Sequence, residues 1–128
     1  MSAWIHQATL EEIREYRIST RKLLNDEDYD LFRVIGVTDS RLADIANHVS
    51  VCHRCLAEYR AKLDWCFFSG RRELESKIKH AGNTLDEVLE IQRELIDVRQ
   101  TALAELAKKI GRMDRLLVSL SKERNTAE

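Results

Sequence analysis

A single line of apolar or small side chains runs through the C-terminal third of the chain: Val88, Ile91, Leu95, Val98, Ala102, Leu106, Ile110, Met113, Leu117 and Leu120. The steps between them are 3, 4, 3, 4, 4, 4, 3, 4 and 3 residues. Only a helix brings residues three and four apart onto one face. The line is sustained for about nine turns with one stutter near its middle. Thr84 followed by Glu87 has the spacing of a capping box and predicts the helix start. The expected span is about 84–124.

A second line lies upstream: Leu42, Ile45, Val49, Cys52, Leu56, Tyr59, Leu63, Cys66, Gly70, Leu74 and Ile78. It predicts a helix over about 40–80, with Thr38 or Asp39 as its cap. Between the two lines sits "HAGNT", in which Gly82 and Asn83 are helix-ending and turn residues. A short connection makes two helices antiparallel neighbours. The expectation is a long antiparallel hairpin, coiled-coil-like, hinged near residues 81–83. A third helix is expected over about 9–25, where Thr9 and Glu12 repeat the capping-box spacing. The connector 26–38 contains "LFRVIGV", too apolar to sit in water and expected as a short helix or buried turn. Composition agrees. There is no proline and only four glycines in 128 residues, too few turn formers for a strand-rich fold. The fold class expected is therefore all-α, a single three-helix bundle over 1–128 made of a hairpin with an N-terminal helix packed on it.

Charge narrows the function classes. The formal net charge is -1, which favours neither nucleic acid nor an acidic membrane surface. Residues 41–82 carry eight basic against five acidic groups and form the one mildly basic segment. Its Arg71, Arg72, Lys77, Lys79 and His80 read as a solvated helix face. No apolar run approaches bilayer-spanning length. Three cysteines, with no charged-then-apolar leader at the N-terminus, predict reduced thiols in the cytoplasm.

"HVSVCHRCLAEY", residues 48–59, concentrates potential ligands. Cys52 and Cys55 have the spacing of half a zinc site, and His48 lies one turn upstream. A structural zinc needs four ligands, and no second pair exists; the hairpin register places Ile110 to Arg115 opposite, where Asp114 is the one possible ligand and Lys109, Arg112 and Arg115 repel a cation. No metal and no cofactor are expected, with a metal or thiol-redox sensor at Cys52 and Cys55 as one alternative. The stretch 42–60 also resembles the apolar skeleton of a helix-turn-helix, with His53, Arg54 and Arg60 outward. A DNA-binding regulator is the second alternative. Enzyme motifs are absent: no Gly-rich phosphate loop, no His-Glu-x-x-His, no Gly-x-Ser-x-Gly. No enzymatic activity is expected.

Each long helix also carries apolar residues off its main line. On the first these are Ala61, Trp65, Phe67 and Phe68; on the second, Leu89, Ile96, Leu103 and Leu116. The N-terminal helix, starting near the level of residue 56, brings Trp4 and Ile5 towards Trp65 and Phe68. The end of the hairpin nearest the turn is then expected to stay uncovered. The leading expectation is a non-catalytic helical interaction module (an adaptor, assembly factor or chaperone-like subunit). It would bind a protein partner or a second copy through Trp65, Phe67, Phe68, Leu103 and Leu116.

Overall fold

The structure is a computed structural model and describes residues 7–25, 30–66 and 70–127. Three α-helices follow one another: α1 (Gln7–Asn25), α2 (Leu31–Asp64) and α3 (Arg71–Ala127). Among the described residues there is no strand, and the protein is an all-α three-helix bundle built on an antiparallel α2–α3 hairpin. None of these helices is long and apolar enough to cross a membrane.

The hinge lies elsewhere than the sequence pattern suggests. α2 ends at Asp64 and α3 begins at Arg71, so the chain reverses between these two helices and not at 81–83, and the helices span 31–64 and 71–127 rather than 40–80 and 84–124. Gly70 adopts φ +91, the left-handed region that costs a side-chain-bearing residue about 1–2 kcal/mol. Trp65 ends α2 by donating its backbone N–H to the Lys62 carbonyl at 3.2 Å. Arg71 then caps the loop, donating from Nη1 to the Cys66 carbonyl at 2.9 Å. The expected turn at Gly82 is instead continuous helix. Ala81 and Leu85 on either side of it are buried against α2, so packing outweighs the local turn propensity. Thr84 caps nothing; its hydroxyl donates back to the His80 carbonyl at 3.0 Å, the bond a threonine makes inside a helix.

The α2 start also moves. "LFRVIGV" forms the first turns of α2, with Leu31 and Val34 buried. Asp30 is the N-cap, its carboxylate accepting from the Phe32 N–H at 3.0 Å. Thr38 and Asp39, expected as caps, sit within the helix: Thr38 donates to the Val34 carbonyl at 2.6 Å, and Asp39 accepts from Arg99 Nε at 2.5 Å.

The core divides into two clusters along the bundle. The larger joins Leu10 and Ile13 of α1, Ile45, Cys52 and Leu56 of α2, and Ala81, Leu85, Val88, Ile91 and Leu95 of α3. The smaller joins Leu31 and Val34 to Val98 and Ala102, with Leu23, Leu24, Ile35 and Leu106 packed against it. Polar rungs set the register of α1. Arg14 pairs with Glu87, and Arg17 donates to Glu94 at 2.8 Å, so α1 runs parallel to α3. The Tyr16 hydroxyl donates to Asp44 at 2.9 Å, and Arg41 donates to Thr20 at 2.5 Å, so α1 runs antiparallel to α2. Arg41 also lies over the Tyr16 ring, 5.2 Å from its centroid. Exposed ion pairs contribute about 0–1 kcal/mol each, so these rungs choose the register while burial supplies the stability.

The hinge position is testable with two glycines that have open space around them. Gly82→Ala removes a mid-helix glycine and is expected to raise unfolding stability by about 0.5–1 kcal/mol. Gly70→Ala forces a positive φ on alanine and is expected to lower it by about 1–2 kcal/mol. Urea unfolding of both variants reads the signs; reversed signs would put the hinge back at residue 82.

Candidate functional site

Hinging at Gly70 leaves the two long helices unequal. α2 has 34 residues and α3 has 57, or about 50 Å against about 85 Å. Leu31, at the start of α2, packs level with Val98 and Ala102. Leu106 is the last α3 residue that packs on the bundle's described core clusters, and beyond it α3 continues as an arm with no facing helix among the described residues. Alanine, leucine, lysine and arginine favour helix there, and Glu105 and Lys108 add an i,i+3 pair at 3.4 Å. Gly111 costs about 1 kcal/mol and does not break the helix. A free helix of this length is marginal in water, so α3's folded part extends it.

The arm is strongly two-faced. Ile110, Met113, Leu116, Leu117, Val118 and Leu120 are 49–63% exposed. With Leu103 and Leu106, four of these (Ile110, Met113, Leu117 and Leu120) form a heptad seam: Leu103, Leu106, Ile110, Met113, Leu117 and Leu120, in steps of 3, 4, 3, 4 and 3. Leu116 widens it on one flank. Lys108, Arg112, Arg115 and Lys122 fall on the opposite side of the helix. Carried back along α3 in heptad steps, the same line reaches Ile96 and Leu89, both more than a third exposed at the edge of the core. Single exposed leucines are ordinary on protein surfaces, whereas this row is contiguous.

Of the five residues expected to anchor a partner, the three that the structure describes do not gather into one patch. Leu103 and Leu116 lie on the seam or beside it. Trp65 is 83% exposed, but it sits at the hinge, at the other end of the hairpin. Arg71 to Leu116 alone spans about 70 Å of helix. Phe67 and Phe68 lie outside the described residues, as do Trp4, Ile5 and His6. The uncovered end is thus the end away from the turn, opposite to expectation, because the hinge moved and the overhang moved with it. Sequence reading missed Ile110, Met113, Leu117 and Leu120 as surface residues. They continue the core line without interruption, so nothing local distinguishes them from core.

The cysteine–histidine stretch is part of α2's packed face. Cys52 is fully buried in the larger core cluster, and Cys55 is buried beside it. Ala81 and Leu85 share the Cys52 cluster; Lys109, Arg112 and Arg115 do not oppose it, contrary to the expected register. Burial, reinforced by Cys55, pushes the Cys52 thiol from the ordinary 9.0 up to about 11. Burial also raises Cys55, with Glu58 adding to the rise and Arg54 opposing it. Both are free, protonated thiols at neutral pH, and a metal or a disulfide partner requires the thiolate. His48 Nε2 lies 3.6 Å from Asp44 Oδ1. Among the described residues no three histidine, cysteine or acidic side chains converge to hold a metal ion.

Residues 42–60 are one uninterrupted stretch of α2, which corrects the helix-turn-helix expectation. That motif needs a turn near Ser50, whereas Ile45, Cys52 and Leu56 are all buried in the larger core cluster along one continuous helix. His53, Arg54 and Arg60 are exposed on its outer surface.

Two measurements check this division between core and arm. Ile91→Ala is expected to cost about 2–5 kcal/mol, and Leu117→Ala to stay within about 0.5 kcal/mol, in urea unfolding of dilute protein. Stability is also expected to fall as pH rises from 9.0 to about 11, because the unfolded chain releases the Cys52 proton that the folded chain keeps. Tyr16, raised to about 12 by burial and its bond to Asp44, extends the fall to higher pH. Cys52→Ala reduces the slope between 9.0 and about 11 and leaves the Cys55 and Tyr16 parts; an unchanged slope would contradict the assignment.

The chain matches no protein-family model, no curated protein and no solved structure.

Proposed function

We propose that this protein is a non-catalytic helical interaction module whose working surface is the α3 arm. The observation that carries the reading is the row of half-exposed apolar side chains beyond Leu106. Full burial of a leucine, isoleucine or methionine side chain yields about 1.5–3 kcal/mol. Ile110, Met113, Leu117 and Leu120 each keep about half their surface in water, so cover by another helix recovers about 1 kcal/mol from each. The bundle positions the arm and stiffens its first turns. The arm then docks as an amphipathic helix, with side chains one and two turns apart filling a facing apolar row. Trp65 at the hinge is a separate apolar contact point, too far along the hairpin to share an occupant with the arm.

A photo-crosslinking residue at Leu116, in the cell that makes the protein, tests the reading. The arm is expected to capture protein, whether another chain or a second copy, while the same crosslinker at Arg93 on the bundle does not. Absence of any Leu116-specific product would refute an interaction role for the arm.

A further inference from the structure

We infer that the arm's occupant is a second copy of this chain, docked antiparallel arm to arm; the inference rests on the arm being the working surface. The seam from Leu103 to Leu120 holds no charged or polar side chain at its six inward positions. An occupant must offer an equally apolar row of the same length. The arm itself does so. In an antiparallel pair Leu103 meets the partner's Leu120, Leu106 meets the partner's Leu117, and Ile110 meets the partner's Met113, with the two-fold axis between Gly111 and Arg112. Such an interface is isologous and closes at two chains.

The flanks are compatible. One side of the seam carries Lys109, Leu116 and Glu123; the other carries Ala107, Asp114 and Ser121. Antiparallel helices bring each side against its own counterpart. Lys109 then lies by the partner's Leu116, where its methylene stem covers apolar surface, and Asp114 lies by the partner's Ala107. No like charges face one another. Lys108, Arg112, Arg115 and Lys122 point away from the contact.

Direction follows from the bundle. The seam borders the side of α3 that α2 covers up to Leu31: Leu106 belongs to both the seam and the smaller core cluster, while Leu103 and Ile96 stay exposed beside it. A parallel copy would bring its own α1 and α2 to the same level, alongside the first bundle, which already flanks the seam there. An antiparallel copy carries its bundle to the far end. Its arm continues the line of α2, which is itself antiparallel to α3, and its tip reaches Leu103 and Ile96, the apolar residues left at the core's edge.

Sedimentation equilibrium of the full chain tests this. The 14.9 kDa chain is expected to double in mass with rising concentration, and Ile110→Glu with Leu117→Glu to abolish the doubling. Circular dichroism of that variant should show a folded helical bundle; Arg115→Ala, on the opposite face, should leave the dimer intact. A spin label at Ser121 (S121C, with C66S) should report an interspin distance of about 30 Å, set by the helical rise, against about 15 Å or less for parallel arms. A monomer at every concentration up to about 1 mM overturns the inference, as does a dimer indifferent to the glutamates or a short label distance. If the purified chain is monomeric yet Leu116 still captures another protein, the second-copy inference fails and the interaction reading stands. If neither occurs, both fall.

Discussion

The buried seam between α2 and α3 governs this molecule. Ile45, Cys52 and Leu56 on one side and Ala81, Leu85, Val88, Ile91 and Leu95 on the other are apolar groups removed from water, and their burial is the dominant favourable term in folding. The seam fixes which residues stand level with one another. From that register follow the hinge, the place where α1 lies and the point at which α3 runs out of partners. The ion pairs of α1 with α3 select an alignment that the apolar clusters already permit.

The overhang is the chief consequence. A hairpin of equal arms would bury the lower stripe of α3 against α2 and leave a closed bundle. With α2 starting level with Ala102, the same stripe continues into water for several turns. The same type of side chain that is buried before Leu106 is half-exposed beyond it. No change in residue type marks the boundary; only the presence or absence of a facing helix does.

The cysteines show how burial redefines a motif. Two thiols and two histidines within eight residues read as a ligand cluster in the sequence. In the bundle the thiols are packed and held protonated by desolvation, while His53 faces solvent. Metal ligation depends on deprotonated groups converging on one point, and these side chains serve different faces of one helix.

Helical periodicity, the absence of proline and the apolar line from Val88 to Leu120 determined from sequence alone that the chain is all-α, with two long helices folded back on each other and a third packed on them. Those features act locally, through the three-to-four-residue repeat, and a single chain displays them. Sequence did not place the hinge. Gly82-Asn83 and Ser69-Gly70 are both turn-forming pairs, and the apolar spacing runs through each without a break. Only the tertiary structure chose between them, because the choice depends on which alignment buries Ala81 and Leu85 against Cys52 and Leu56, a pairing across the hairpin that no local pattern encodes. The same choice decided that Ile110 to Leu120 face water, since exposure is a property of what stands opposite a residue and not of the residue itself.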